Sequence, residues 1–510
     1  MKSMRLRWYG IVLALLIVTA TAPGQTPRID PAGLRGSLLV CGPKAGAAAF
    51  DRFLDLAGGE NAKIAVVYLH RDHKDRAAIF KDLLSASAKK RKAAEPQVIA
   101  WAEAKAALPK LTGVWLVTDE FSGGGPQGWQ KTLQAHPLRD EFVALLNRSG
   151  VVATYDHESN VVGEGLGLYP LGLTDTRAFF RKRRAGPGAV GFEVEPQAAL
   201  LIKGRTLSAV GEGSTLIYLS PSQSMPIKLE GKSQGDLTAL RRAAFDRANS
   251  FPPQKVEPPV VEKGTLVIVG GGGQPDNLHK KFVEYAGGEG KAVIAIFATA
   301  APDPLPKREG LALAFKKAGA KKATVLYGQT QAEVESKEFL DTLKEATGLW
   351  FDGGRQWRFV DCYENTKALP LMFDVLQRGG VIGGTSAGAT IQGEYLARGG
   401  VFHNFDIRYE GYERGLGFLK GVAIDQHFTQ RKRQSEMTQL MKVYPQYLGI
   451  GLDEATAIVV KGSVADVIGT GKAHFYDANR KVEKGQPDYE ALPAGGRYDL
   501  KERKVLAGEK

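Results

Sequence analysis

The sequence predicts an α/β protein built as two tandem three-layer α/β/α domains with mainly parallel sheets, and three observations carry that expectation. Short, continuous, β-branched apolar runs alternate with amphipathic helical patterns such as 74–92 and 306–318, the layout of βαβ units whose strands are buried on both faces. The whole series of runs occurs twice. Between Gly380 and Glu394, finally, an apolar strand (Val381, Ile382) enters Gly384-Thr385-Ser386-Ala387-Gly388 and continues into residues that suit a buried helix. This is a G-x-S-x-G turn in the strand, turn, helix context that exposes a serine at the top of a sheet. A Cβ on either flanking position would crowd the strained serine, and the helix start leaves free N–H groups beside it.

Taken in order, the chain opens with Lys2, Arg5 and Arg7, an apolar run from Ile11 to Val18, and Ala22-Pro23-Gly24. That order is the layout of a secretory signal peptide, with cleavage expected after Ala22 or Gly24, so residues 1–24 are assigned to it. The run is too short for a stable membrane span, with an uncleaved anchor as the alternative. The expected location is exported, periplasmic or extracellular. Disulfides persist there, but Cys41 and Cys362 stand far apart in the sequence and are expected as small buried residues without a bridge.

The first copy spans 30–249 and the second 264–478. Ser37 to Gly42 (SLLVCG), the helix ending in AGGE, and Ile64 to Tyr68 are answered by Thr265 to Gly271 (TLVIVGG), a second helix ending in AGGE, and Val293 to Phe297. Gly113-Val114-Trp115 answers Gly348-Leu349-Trp350, and Ala198 to Gly204 answers Thr456 to Gly462. Between the copies, 250–263 holds four prolines and little periodicity, as a semi-rigid linker does. The charged tail 479–510 is expected to form an edge hairpin with a frayed end.

With 510 residues, 43% of them hydrophobic, the chain can bury more than one core. A net charge of +13 suits acidic surfaces or substrates. The lysines are spread along helices and no recognition module is present, so no nucleic-acid partner is expected. A homodimer is left open. No cofactor or metal is expected, because neither Asp156-His157-Glu158 nor His70 with His73 has a paired ligand spacing.

A serine hydroxyl needs a base in hydrogen-bond reach and a group that orients that base. Of His279, His403, His427 and His474 in the second copy, only His427 ends an apolar strand (Val422 to His427), where α/β proteins place functional residues. Asp453 and Glu454, in the turn Gly449 to Ala457, are both candidates for the orienting acid.

Together these residues resemble the cyanophycinase-like serine peptidases, relatives of the aspartyl dipeptidases. The matching motifs are Gly383 to Ala389 (GGTSAGA), Ile424 to Arg433 (IDQHFTQRKR), Gly449 to Ala457 (GIGLDEATA) and, less fully, Phe351 to Gln356 (FDGGRQ). The resemblance covers 264 to about 477 and implies a class I glutamine amidotransferase-like fold. It also implies Ser386 as nucleophile, His427 as general base and Glu454 as orienting acid. The oxyanion donors would be the N–H of Ala387 with that of Gly353 or Gly354, and Gln356, Asp425, Gln426, Arg431 and Arg433 would bind substrate. If a helix starts just after His427, its first turn presents both arginines to the pocket. Arg355 stands where the family has a small polar or acidic residue, and Glu436 where it tends to have an arginine.

In the first copy Ser386, His427 and Glu454 are answered by Asp156, Arg177 and Pro196, so that copy is expected to be non-catalytic and to pack on, or shape access to, the second. The function expected is an exported serine hydrolase, an exopeptidase cleaving amide bonds at aspartyl or β-aspartyl residues of a small acidic peptide or polymer through an acyl-enzyme. The alternative is a pseudoenzyme that binds acidic peptides or polymers without turnover.

Overall fold

A computed structural model describes residues 32–68, 73–117, 138–155, 172–173, 190–220, 225–302 and 304–507. The expectations placed on 1–24, His70, Asp156, His157, Glu158 and Arg177 lie outside the described residues.

Among the described residues each half forms one large and one small sheet. The large sheet of the second half has nine strands in the order Lys322–Leu326, Val293–Phe297, Gly348–Phe351, Val381–Thr385, Val261–Val269, Thr456–Gly462, Val464–Gly469, Arg497–Asp499 and Lys504–Leu506. Strands up to Val261–Val269 pair in parallel, and Thr456–Gly462 begins an antiparallel extension. The eight-stranded sheet of the first half repeats this order: Gln97–Ala100, Ile64–Tyr68, Gly113–Val117, Val151–Tyr155, Leu34–Cys41, Ala198–Gly204, Thr206–Gly211 and Gln234–Asp236. The α/β class, the parallel strands and the duplication are thus all present. The elbow strand Val381–Thr385 is central, flanked in parallel by Gly348–Phe351 and Val261–Val269.

Helices Leu278–Tyr285 and Glu309–Lys317 cover one face of that sheet, burying Phe282 and Phe315 against Trp350. The other face packs on helices Lys337–Glu345, Gln356–Tyr363 and Ala368–Gln377. The same core also takes in Val422, Ile424, Leu448 and Ile450 from the small sheet, which the three-layer expectation did not include. The five strands of that sheet run Gly393–Leu396, Leu419–Gln426, Leu448–Leu452, Lys472–Asp477 and Glu490–Pro493, with helix Gln434–Val443 on the outer face. A four-stranded counterpart in the first half includes Val190–Val194 and Ser214–Leu219.

Several local expectations change. The buried helix after the elbow is only Ala387–Thr390, because Gly393–Leu396 is drawn into the small sheet beside Leu419–Gln426. His427 therefore follows a strand of the small sheet. No helix starts just after it either: a turn through Lys432, at φ 55°, precedes the helix Gln434–Val443. The tail forms the expected edge hairpin, Arg497–Asp499 with Lys504–Leu506, and also supplies Glu490–Pro493 to the small sheet. Cys41 and Cys362 are buried, unbridged, in different cores.

Helix Leu237–Ala248, capped by the Asp236 side chain on Ala239 N, joins the halves. Leu237, Leu240 and Ala243 belong to a first-half core, whereas Ala239 belongs to the second-half core. Gly411, at φ 88°, lies so close that a Cβ there would collide with the Ala239 carbonyl. Gly411→Ala combines backbone strain with a clash that helix backbone cannot relieve, so it should lower unfolding free energy by about 2–4 kcal/mol. Gly462→Ala, at φ 57° in open space, should cost only about 1 kcal/mol. Denaturant titration of the two variants checks this, and equal losses would remove the close contact from the account.

Candidate active site

At the end of the elbow strand Ser386 adopts φ 55° and ψ −114°, a conformation that costs about 1–3 kcal/mol for a residue with a side chain. The flanking glycines make it attainable. A Cβ on Gly384 would lie 2.5 Å from the Gly388 carbonyl oxygen, and one on Gly388 would run into the carbonyl of Phe351. Ala387 opens the helix that follows, so the first amides of that turn lack intrahelical acceptors beside the serine.

Ser386 and His427 arrive from different sheets. Glu454 lies in the turn between Leu448–Leu452 of the small sheet and Thr456–Gly462 of the large one, so that turn physically couples the two. Ser386 Oγ is 3.0 Å from His427 Nε2, and His427 Nδ1 is 2.5 Å from Glu454 Oε1. With Nδ1–H donating to the carboxylate, Nε2 presents its lone pair to the serine hydroxyl.

The turn after Val261–Val269 carries all three residues. Val269 O accepts from Ser386 N at 3.0 Å, Gly270 O from His427 N at 2.8 Å, and Gly271 O from Ala455 N, next to Glu454, at 2.9 Å. A Cβ on Gly271 would sit 2.5 Å from the His427 ring, and one on Gly272 would overlap the Glu454 carboxylate. Sequence reasoning used Gly270 and Gly271 only as a landmark of the repeat and passed over Gly272 and Gly273. The signal was the glycine run itself, longer than a simple strand-to-helix turn requires.

Asp453, the other acid candidate, faces away from His427. It accepts from Thr429 N at 3.0 Å and Lys472 N at 3.1 Å and lies 3.3 Å from His474 Nε2. Burial opposes its ionisation, but His474 and Thr429 outweigh burial and bring its pKa down to about 2. His279 packs on Phe315 and Trp350 on the far side of the sheet, and His403 lies in a surface loop near Asp406. Of the four histidines considered, His427 is the one within reach of Ser386.

Gly353 adjoins the serine: a Cβ there would be 3.4 Å from Ser386 Cβ and 3.8 Å from Oγ. Gly354, at φ 145°, packs on the Ala300 carbonyl, which also accepts from Arg355 N at 2.8 Å. Gln356 is buried and donates to Ala397 O at 2.8 Å and Arg398 O at 2.7 Å, tying helix Gln356–Tyr363 to the loop after Gly393–Leu396. Asp425 has no exposed surface, and its carboxylate accepts from Arg398 Nε, Arg433 Nη1 and Gln426 N at 2.9, 2.7 and 3.0 Å. Arg433 also reaches Gln426 O at 2.6 Å. These groups hold one another, and Arg431 alone of the two expected arginines is exposed. Both backbones are held in the same turn, Arg431 N on His427 O and Arg433 N on Phe428 O, but the Arg433 guanidinium is taken up by Asp425.

Arg398, which sequence reasoning missed, is buried at φ 58° and pairs with both Asp425 and Glu436. Glu436 is thereby neutralised and adds no free negative charge. Arg355 donates to the Gly400 carbonyl. In the first half, Pro196 occupies the turn that answers Glu454, and its carbonyl accepts from Lys44 N at 2.7 Å. Among the described residues no group of three His, Cys, Asp or Glu side chains is placed to hold a metal ion, and no helix is long and apolar enough to cross a membrane.

Burial lowers the His427 pKa, the Arg431 and Arg433 charges act in the same direction, and the bond to Glu454 opposes them. The ring is therefore neutral to a lower pH than a free imidazole, titrating below the ordinary 6.5. Arg431→Gln removes a cation that disfavours the imidazolium, so it should move the midpoint upward. Titrating the His427 ring signals by NMR in both proteins checks the sign, and a downward shift would contradict it.

Residues 265–468 match the sequence model of peptidase family S51. A cyanophycinase from Geminocystis herdmanii is 32% identical over 272 residues, 49% of this chain and 97% of that protein. Cyanophycinases from Trichormus variabilis and Synechococcus elongatus are 27% and 29% identical, over 51% and 48% of this chain and 95% and 81% of theirs. Among solved structures, a peptidase from an acI-B1 actinobacterium is similar at 23% identity and a TM-score of 0.37, covering 46% of this chain and 97% of its own. A putative peptidase E protein from Listeria monocytogenes follows at 15% identity and a TM-score of 0.30, covering 41% and 98%. A chain that is 32% identical to a cyanophycinase over 97% of that protein's length, and whose matched stretch spans Ser386, His427 and Glu454, belongs to peptidase family S51.

Proposed function

We propose that the protein is an exported serine peptidase that cleaves amide bonds at aspartyl or β-aspartyl residues of small acidic peptides or polymers, using Ser386, His427 and Glu454. The observation that carries this reading is the unbroken hydrogen-bond chain of 3.0 and 2.5 Å from a strained serine through a neutral histidine to a carboxylate. Ser386 Oγ attacks the carbonyl carbon as its proton passes to His427 Nε2, and Glu454 stabilises the imidazolium. The negative charge formed on the carbonyl oxygen falls to the N–H groups of Ala387 and Gly353. Collapse breaks the C–N bond, His427 returns the proton to the leaving amine, and an ester to Ser386 is left. Water, deprotonated by His427, then releases the acid and restores the hydroxyl.

The substrate side follows from charge. Arg431 is exposed and close enough to bias His427, and Arg355 follows the oxyanion turn directly. A guanidinium can hold a carboxylate through two parallel hydrogen bonds, as an aspartyl substrate would require. Asp425, Gln426 and Arg433 contribute from behind, by fixing the strand end from which His427 projects. Residues 264–478 form the catalytic unit in this proposal, and 30–249 a non-catalytic companion. Export rests on the charged and apolar layout of residues 1–24.

A serine-reactive fluorophosphonate should label the wild type and fail to label Ser386→Ala, which should also lose peptide hydrolysis. Absence of labelling in folded wild type would favour a protein that binds without turnover. Arg431→Ala should lower kcat/KM for a β-aspartyl dipeptide by about 1.5–3 kcal/mol, the scale of a hydrogen bond to a charged group. A small neutral ester should be hydrolysed nearly as well by that variant. Equal losses on the two substrates would assign Arg431 to structure and remove the acidic-substrate claim.

A further inference from the structure

The Gly353–Gly354 turn leads directly into helix Gln356–Tyr363, so the position of the helix fixes the position of the turn against Ser386. Both ends of that helix are held by one side chain of the other half. Arg205 lies between strands Ala198–Gly204 and Thr206–Gly211 of the first-half sheet. Its guanidinium stacks over the Trp357 ring, 5.0 Å from the centroid, in the first turn of the helix. At the last turn its Nη1 donates to Asp361 Oδ2 at 2.6 Å. The remaining donors reach Asp236 as a fork, at 2.5 and 2.9 Å, and Tyr412 Oη.

The surroundings leave this contact no slack. Asp361 is 5% exposed and Tyr412 fully buried. Tyr412 Oη donates to Asp361 Oδ1 at 2.7 Å, and Arg242, also from the first half, lies 3.2 Å from the same oxygen. Asp236 caps the helix Leu237–Ala248 that enters the second-half core at Ala239. Arg205 thus ties that helix cap to both ends of the helix behind the oxyanion turn. A guanidinium is suited to this because its planar fork satisfies two carboxylates while its face lies on an aromatic ring, which an ammonium cannot do.

We infer that Arg205, contributed by the half that lacks a serine at the elbow position, is a positioning residue of the peptidase site: by clamping helix Gln356–Tyr363 it sets the Gly353 N–H against the oxyanion. The first half then acts on the site through the helix that it holds. This rests on the serine-peptidase reading for its effect on rate. The clamp itself is a statement about the helix, so the two can fail separately.

The test uses the full chain and compares wild type with Arg205→Gln and with Asp361→Asn, which breaks the same link from the other side. Arg91→Gln is the control: it removes a first-half ion pair to Asp51 and Asp55, and the partners that the described residues give Arg91 all lie in the first half. Any variant unfolded by circular dichroism is replaced by Tyr412→Phe, which deletes only a hydroxyl. Two readouts are taken, steady-state kinetics on the β-aspartyl dipeptide and neutral ester, and hydrogen exchange of the amides across 353–357. Clamp variants should lose kcat on both substrates on the order of tenfold with KM changed less than about threefold, because a displaced donor acts in the transition state. Their 353–357 amides should exchange faster, and the control should match wild type in both readouts. Folded clamp variants with unchanged exchange and kcat within about twofold of wild type, or an equal loss in the control, would overturn the inference. Should wild type neither label nor hydrolyse, the serine-peptidase reading falls, and exchange alone decides the clamp: faster exchange sustains it and unchanged exchange overturns it.

Discussion

Three consecutive backbone carbonyls, those of Val269, Gly270 and Gly271, hold the candidate site together. Each accepts one hydrogen bond from a different arm: the elbow strand of the large sheet, the strand end of the small sheet, and the turn that crosses between them. Backbone groups buried this deeply need partners, so the arms cannot separate without leaving donors and acceptors unpaired. The arms must also come closer than side chains would allow, which explains the glycines. The His427 ring and the Glu454 carboxylate occupy the space that Cβ atoms of Gly271 and Gly272 would fill. A site assembled between two sheets is thereby given the geometric definition of a site on one.

What was legible in the sequence was whatever local pattern dictates. The elbow could be read because G-x-S-x-G restricts its own backbone, and the close approaches at Gly384 and Gly388 are the steric reason. His427 could be read from the end of an apolar run, and the duplication from repeated landmarks. Local pattern does not say which sheet a strand joins. Leu419–Gln426 carries an apolar run, Val422 to Ile424, like those of the large sheet, yet it pairs with Gly393–Leu396 and Leu448–Leu452. Local pattern also left Asp453 and Glu454 equal, since adjacent carboxylates in a turn differ only in direction, and it was the family resemblance that chose Glu454. Arg398 carried no signal at all: its role exists only once Asp425 and Glu436 are brought to it from other elements.

Charge shows the same dependence on tertiary structure. The excess of basic residues suggests a field that attracts acidic partners, but several arginines serve the interior. Arg398 and Arg433 share Asp425, while Arg205 and Arg242 share Asp361. Truncating one member of such a cluster leaves another charge buried and unpaired, which costs far more than a surface pair contributes. The clusters consequently act as fixed joints, one behind the His427 strand end and one between the halves. Net charge taken from composition therefore overstates what is free at the surface, where Arg431 remains exposed.

Strain gives these joints their purpose. Ser386, His427 and Ala455, one in each arm or beside it, all have positive φ, at 55°, 48° and 52°. Each such residue costs about 1–3 kcal/mol and persists only where its surroundings over-determine it. Here the over-determination is visible: the carbonyl triplet in front, the Asp425 cluster behind His427, and Asp453 fastening the acid turn to Thr429 and Lys472. The Gly353–Gly354 turn is held from its own half by the bond from Arg355 N to Ala300 O and by Gln356 on Ala397 O and Arg398 O, and it leads into helix Gln356–Tyr363. That helix is the element on which the first half closes. A duplicated half with no serine at the elbow position then has a mechanical part: through buried ion pairs to Asp361 it adds to the hold that the second half already has on that helix.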